Sequence, residues 1–196
     1  MVNEKRAPLE GLLEADETII GGPAKGMKGR GVTRSVHKSL VLGAVEVVQY
    51  GTKKGAAKEK AGRLRLQLID HADEKTIRRF LKINVAAGAS VRTDGWRGYS
   101  QTALSGYKHT AQVQGSPELA HQLAPHIHRV FSNLKTWLQG THHGVDPKYL
   151  QGYLDEYVFR FNRRQTPMAA FQTLLGIAAT TKPIGLVKIR EPESTR

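Results

Sequence analysis

Residues 39–48 restrict the possible folds of this chain more than any other stretch, because they form an almost continuous apolar run. A strand of this composition is typical of one that is covered on both faces, so the fold needs layers on each side of a sheet. Two more strand-like runs flank it. Residues 12–20 are apolar at both ends, and residues 63–69 alternate leucine with polar side chains. Three such runs separated by glycine-rich turns predict an antiparallel meander.

The rest of the chain has mainly helical patterns. Residues 125–140 have a proline in the first turn and a glycine at the end, with apolar residues at i, i+3, i+4, i+7 and i+11 between them. Arg129, Asn133 and Trp137 follow one flank of this apolar stripe, which predicts that Asn133 lies at the rim of the surface that the helix covers. The other predicted elements are a helix at 73–88, strands at 89–93 and 107–113, and helices at 147–164 and 166–180.

This order of elements predicts an α/β fold. Three antiparallel strands followed by strands joined through helices give a mixed sheet, three strands antiparallel and two parallel, flanked by helices and followed by a helical C-terminal extension. The order matches the ribonuclease H-like fold. We expect residues 11–165 to form this domain after a disordered start at 1–10, with a C-terminal helix at 166–180 and a basic tail at 181–196.

Charge is the strongest signal in the composition. The 30 Lys and Arg residues outnumber the 17 Asp and Glu residues, which gives a net charge of +13 and indicates a polyanionic partner. The glycine-rich turns at 21–38 and 51–62 carry the cations that we expect to contact a DNA backbone: Lys25, Lys28, Arg30, Arg34, Lys38, Lys53 and Lys54. Taken alone, each turn also fits a solvated loop.

Two absences exclude other classes of protein. The chain has no cysteine, so disulfides, cysteine-based zinc ribbons and thiol catalysis are excluded. It also has no apolar run of the length that a membrane span needs, and no signal-peptide core. We therefore expect a cytoplasmic protein, associated with the nucleoid if its partner is DNA.

One aspartate lies within a strand-like run, and another directly follows one. Asp16 interrupts an apolar strand, where a strand would place Glu14, Asp16 and Thr18 on one face. A buried carboxylate there needs a cation, which indicates a metal site or a salt bridge. Asp94 directly follows the strand at 89–93, and in the ribonuclease H-like arrangement these two acids meet a side chain from a later helix, here Asn133. Such a set holds two Mg²⁺ ions about 3.5–4 Å apart for phosphodiester chemistry.

The sequence around these positions resembles a known family. The segments at 14–22, 93–99, 128–144 and 153–164 are similar to bacterial insertion-sequence transposases of the ISXO-like branch of the DDE superfamily, and the resemblance covers about residues 10–178. It implies a catalytic domain that cleaves and joins DNA with Mg²⁺, or with Mn²⁺ in its place. The implied partners are the element ends, target DNA and further copies of the chain assembled on DNA. The implied metal ligands are Asp16, Asp94 and Asn133, with further roles for Lys135, Glu156, Arg160 and Arg163.

Helix geometry leaves some of these roles open. Glu156, Arg160 and Arg163 are spaced i, i+4, i+7 and share one helix face. They form either a solvated ladder of ion pairs or a group in which Glu156 reaches the metals while the arginines hold phosphate. Lys135 lies roughly 200° around the helix from Asn133. We therefore expect Lys135 to contact the DNA backbone or to pack, rather than to face the same ions.

Two further predictions concern the histidines and the region before the catalytic domain. Without cysteine, the histidines at 126, 128, 142 and 143 are expected to face solvent or DNA rather than bind zinc. Relatives usually carry an N-terminal DNA-recognition region, so this chain reads as a catalytic domain without that module. The alternatives are a non-catalytic remnant that only binds DNA and a ribonuclease H-like nuclease that cuts without joining.

Overall fold

The computed structural model of the protein describes residues 6–21, 38–51, 58–94, 98–111 and 124–180. The strands within these ranges are β1 (Leu12–Ile20), β2 (Ser39–Tyr50), β3 (Lys58–Ile69), β4 (Ser90–Thr93) and β5 (Lys108–Ala111). The helices are α1 (Glu74–Asn84), α2 (Pro125–His142), α3 (Leu150–Asn162) and α4 (Pro167–Thr180), with a 3₁₀ turn at Pro147–Tyr149.

The strands form one open mixed sheet in the order β3-β2-β1-β4-β5. β1, β2 and β3 pair antiparallel, whereas β1 with β4 and β4 with β5 pair parallel. This arrangement confirms the predicted α/β fold, three antiparallel strands followed by two parallel ones, and is consistent with the ribonuclease H-like fold.

Helices cover both faces of the sheet, as the apolar run of β2 predicts. Leu42 and Ala44 face the cluster that α1 supplies, and Val41 and Val45 face the cluster that α2 and α3 supply. The apolar stripe of α2 is buried against this second face, through Ile127, Val130, Phe131, Leu134 and Leu138. Burying each such side chain stabilises the fold by about 1.5–3 kcal/mol.

Two predicted boundaries are wrong. β3 begins at Lys58 rather than at residue 63, because a bulge between Val45 and Val47 shifts its register on β2 and lets the pairing continue past it. The Arg63 side chain contacts Glu46 at 2.6 Å beside this bulge. Helix α1 ends at Asn84 instead of residue 88, because Val85 leaves the helix and bridges to Leu9.

Side chains of α3 cover the outer edge of β3. Asn162 accepts a hydrogen bond from the Leu64 N–H at 2.7 Å and donates one to the Leu64 carbonyl at 3.1 Å. Gln151 accepts from the Leu68 N–H at 2.8 Å. These bonds occupy backbone groups that an edge strand would otherwise offer to another chain.

The C-terminal helix α4 forms as predicted, but none of its residues is buried. None of the helices in the described ranges combines the length and the apolar content that a bilayer crossing requires.

Candidate active site

The register of β1 explains how Asp16 and Asp94 come together. β1 pairs in parallel with β4 from Leu12 opposite Ser90 to Glu14 opposite Arg92. Asp16 lies two residues after Glu14 in β1, and Asp94 lies two residues after Arg92, directly after the end of β4, so the two chain segments run side by side towards these positions. The two carboxylates are close enough for the charge of Asp94 to raise the pKa of Asp16. The structure therefore brings these two predicted residues together.

Helix α2 approaches the face of the sheet that carries Asp16 at an unusually short distance. Gly43 on β2 stands opposite Asp16, and a Cβ atom at Gly43 would lie 2.9 Å from Phe131 Cε1 and 2.9 Å from Leu66 Cδ2. Only glycine leaves room for the Phe131 ring at this point. This contact lets the first turn of α2 reach β1, where His128 Nδ1 lies 3.5 Å from Asp16 Oδ2.

Burial and neighbouring charge make Asp16 an unusual carboxyl group. Burial is the largest cause that raises its pKa, to about 7, and the charges of Glu17 and Asp94 raise it further. A hydrogen bond of 2.8 Å from the Glu17 N–H and the positive charge of Lys135 act in the opposite direction. The effects that raise the pKa of Asp16 thus outweigh those that lower it, as expected of a place that binds a cation.

Glu17 adds a third carboxyl group beside this pair, from the opposite face of β1. The Tyr99 hydroxyl donates a hydrogen bond of 3.1 Å to Glu17 Oε2. Burial and the charge of Asp94 raise the pKa of Glu17, while the Tyr99 hydrogen bond lowers it. Burial and these three acids in turn raise the pKa of Tyr99 well above its usual value, so its hydroxyl keeps its proton. Sequence reasoning did not single out Glu17 or Tyr99.

The two flanks of α2 face different parts of the molecule. Lys135 lies seven residues after His128, on the flank that meets Asp16, and its charge lowers the pKa of Asp16. Asn133 is exposed and precedes by one turn Trp137, whose ring packs 5.5 Å from that of Tyr157 on α3. The structure therefore places Asn133 on the flank towards α3, and its predicted role as a metal ligand stays a prediction.

The residues predicted on α3 lie on that side as well. Arg160 pairs with Glu156 at 3.4 Å and stands over the Trp137 ring at 5.6 Å, while Arg163 stands over the Phe159 ring at 4.0 Å. The i, i+4 ion pair of Glu156 and Arg160 agrees with the ladder interpretation. Of the predicted DNA-contacting cations in the two turns, Lys38 is exposed, and the others lie outside the described residues: Lys25, Lys28, Arg30, Arg34, Lys53 and Lys54.

The expectation that the histidines face solvent or DNA is wrong for His126, which is only 8% exposed. His142 is half-buried and packs edge-on against Trp137 and Tyr153, with ring centroids 5.0 and 4.5 Å apart. His128 is half-buried against Asp16. The apolar stripe of α2 shows which face is buried, but the rotation that turns His126 and His128 towards β1 depends on contacts far apart in the sequence.

A second polar cluster lies next to the aspartates. The fully buried Glu14 accepts hydrogen bonds from the His126 and Ile127 N–H groups, at 2.7 and 3.0 Å. Glu14, Glu59 and His126 offer possible metal-ligand atoms within 4.8 Å of one another. However, Arg92 already makes two hydrogen bonds of 3.1 Å to Glu59 and lies 4.0 Å from Glu14. Arg92 therefore supplies one positive charge to two carboxylates, while the buried Glu14 Oε1 atom has no hydrogen-bond partner among the described residues.

The donor set around Asp16 suits a divalent cation. Carboxylate oxygens are the ligands that Mg²⁺ and Mn²⁺ take from proteins. The mutual repulsion of Asp16, Glu17 and Asp94 would be relieved by a bound cation, whereas in the neighbouring cluster Arg92 already binds Glu59. The carboxylates of Asp16 and Asp94 therefore fit the divalent metal ion that a ribonuclease H-like fold implies.

Comparison with protein families identifies the chain. The model of the ISXO2-like transposase domain matches residues 8–162, from just before β1 to the end of α3. The chain belongs to the ISXO2-like transposase family. The match includes every strand of the sheet and both helices, α2 and α3, that pack on the Asp16 face. Membership in the family implies a transposase function, with DNA as the partner and divalent metal in use. Searches among curated proteins and among solved structures found no match.

Proposed function

We propose that this transposase domain cleaves DNA strands at the ends of an insertion sequence and joins the freed 3′ ends to target DNA, using metal ions held by Asp16 and Asp94. The observation that carries the proposal is the pair of neighbouring carboxyl groups, with the pKa of Asp16 raised to about 7 by burial and by acidic neighbours. Mg²⁺ is the proposed metal, and Mn²⁺ would substitute for it.

The proposed reaction has two steps of the same kind. In the first, a water oxygen attacks a phosphodiester phosphorus, the bond from phosphorus to the 3′ oxygen breaks, and a 3′-hydroxyl and a 5′-phosphate remain. In the second, that 3′-hydroxyl attacks a phosphorus of the target strand, and the target's 3′ oxygen leaves as a hydroxyl. Bound divalent metals would activate the attacking oxygen and stabilise the leaving one.

The protein's own groups hold and neutralise the reacting strand. Asp16 is fixed in the middle of β1, where it pairs with Gly43 on β2. The Lys135 charge acts at the same site and suits a phosphate of the bound strand. Asn133 and Glu156 remain candidates for completing the metal site, and the cations of the two turns, with Arg160 and Arg163, for holding the DNA backbone. Assembly of several copies on DNA is part of the proposal.

The test uses a supercoiled target plasmid and a short duplex with the element's own ends, with Mg²⁺ or Mn²⁺. Asp94→Asn should lower the yield of cleaved and joined products at least about 100-fold, since even a partner that only supports a metal ligand contributes 10–100-fold. DNA affinity should remain close to that of wild type. Asp146→Asn is the matched control, because Asp146 caps the exposed 3₁₀ turn and Asn caps equally well.

Three results would contradict the proposal. Equal product yield from Asp94→Asn and wild type would show that the chemistry does not depend on this carboxylate. Salt-sensitive DNA binding without metal-dependent cleavage by either protein would instead indicate a remnant that only binds DNA. Cleaved products that are never joined would indicate a nuclease.

A further inference from the structure

The side chain that α2 brings to Asp16 is that of His128, which the family match does not assign to any role. His128 stands in the first turn of α2 with its side chain 27% exposed, and its Nδ1 atom lies 3.5 Å from Asp16 Oδ2. It shares this flank of the helix with Lys135, which also acts on Asp16.

We propose that His128 Nδ1 is a protein ligand of the metal ion held by Asp16. The inference rests on the metal site of the proposed function and names a ligand for it from this chain. Two ligands of one ion at about 2.1 Å from it stand roughly 3.0–3.4 Å apart in octahedral or tetrahedral geometry. The separation of 3.5 Å between His128 and Asp16 is close to this spacing. It is longer than the 2.7–3.2 Å of an ordinary N–H···O hydrogen bond.

The backbone holds His128 in this position. Glu14 lies two residues before Asp16 on the same face of β1, and its Oε2 atom accepts the N–H groups of His126 and Ile127. These bonds tie the first turn of α2 to the strand that carries Asp16. The Glu14 side chain therefore holds the first turn of α2, which carries His128, against the strand that carries Asp16. A metal site requires ligands that are fixed in this way.

Asn133 is less well placed than His128 for the same ion. Five residues separate the two along α2, which puts their side chains roughly 140° apart around the helix axis. One turn after Asn133, Trp137 packs on Tyr157 of α3. Asn133 therefore lies on the side of α2 that meets α3, whereas His128 lies on the side that meets Asp16.

A nitrogen ligand changes which metal the site prefers. Mg²⁺ takes oxygen ligands almost exclusively, whereas Mn²⁺, which also favours carboxylates, accepts an imidazole nitrogen more readily than Mg²⁺ does. We expect this chain to bind Mn²⁺ at least about tenfold more tightly than Mg²⁺, and His128→Asp to reduce that ratio by replacing the nitrogen ligand with a carboxylate.

The experiment measures Mn²⁺ bound to the full chain by pulsed electron paramagnetic resonance, which detects a ¹⁴N nucleus in direct coordination. Wild type should show ¹⁴N coupling from a single imidazole, and His128→Gln should lose the coupling and bind Mn²⁺ at least about tenfold more weakly. The coupling should persist in Asn133→Ala and in His71→Gln, the latter being an exposed histidine outside the site. Urea unfolding of each variant verifies that it is folded.

The outcomes separate this inference from the proposed function. Mn²⁺ binding that Asp16→Asn abolishes, but that shows no ¹⁴N coupling or keeps it in His128→Gln, would overturn the role of His128 and leave the metal site intact. Mn²⁺ binding that Asp16→Asn leaves unchanged would overturn the proposed metal site itself, and the role of His128 with it.

Discussion

Replacing Asp16 with Asn should stabilise the protein in metal-free buffer at pH 8, and this stabilisation should disappear as the pH falls. In the folded protein, burial and the charges of Glu17 and Asp94 raise the pKa of Asp16 from 3.8 to about 7. Between these values the folded state holds a proton that the unfolded state has lost. The free energy of unfolding of wild type therefore falls as the pH rises from 4 to 7, by about 1.4 kcal/mol for each pH unit.

The full shift corresponds to about 4 kcal/mol. Asn at this position keeps an oxygen that can accept a hydrogen bond from the Glu17 N–H. Its amide N–H₂ group must be buried, however, and this offsets about 1–2 kcal/mol of the gain in stability. We expect Asp16→Asn to be more stable than wild type by about 2–3 kcal/mol at pH 8 and less stable than wild type by about 1–2 kcal/mol near pH 4. For a chain of this length the difference at pH 8 raises Tm by roughly 4–12 °C.

Thermal unfolding with chelator, at pH 4 and at pH 8, measures this difference directly. Adding Mn²⁺ at pH 8 should then raise the Tm of wild type and leave that of Asp16→Asn unchanged, because the cation relieves the same repulsion. Equal Tm values for the two proteins at pH 8, or a difference that does not vary with pH, would refute the electrostatic argument.

Three other substitutions test how the fold positions the site. Glu14→Ala should cost about 2–4 kcal/mol in urea unfolding, since it leaves two N–H groups of α2 without an acceptor, whereas Glu14→Gln keeps an acceptor and should cost less than about 1 kcal/mol. Gly43→Ala should lower the free energy of unfolding by about 1–3 kcal/mol, because its Cβ would lie 2.9 Å from Phe131. Gly140→Ala is the control: its Cβ would have open space around it, and the substitution should stabilise α2 by about 0.5–1 kcal/mol. Asn162→Ala should cost about 1–3 kcal/mol through the loss of both bonds to β3, and a loss below about 0.5 kcal/mol would contradict the edge-covering role.

Most of the fold is predictable from the sequence because its signals are local. The apolar run of β2 requires cover on both faces, and the stripe of α2 gives its buried side residue by residue. The start of β3 is not predictable in this way. Residues 58–62 have no alternating pattern, and their pairing depends on the bulge in β2 and on Glu46, which is distant in the sequence.

The acidic part of the site is also predictable, whereas its helical part is not. A carboxylate within an apolar strand is visible in the local sequence. The parallel pairing of β1 with β4 then brings Asp94 close to Asp16. Which flank of α2 meets Asp16 depends on how the helix is rotated on the sheet. That rotation is set by Phe131 on Gly43 and by Glu14 at the first turn, so the sequence pattern alone directs attention to Asn133 rather than to His128.

The position of Asp16 in the middle of β1 divides the site into a fixed part and an adjustable part. Each residue of β1 from Leu12 to Ile20 pairs with β2, so the backbone of Asp16 cannot move without breaking the sheet. Asp94, by contrast, lies one residue beyond the end of β4. Any tightening of the site around an ion or a DNA strand must therefore come from Asp94 and from the side chains of α2, while β1 stays in place.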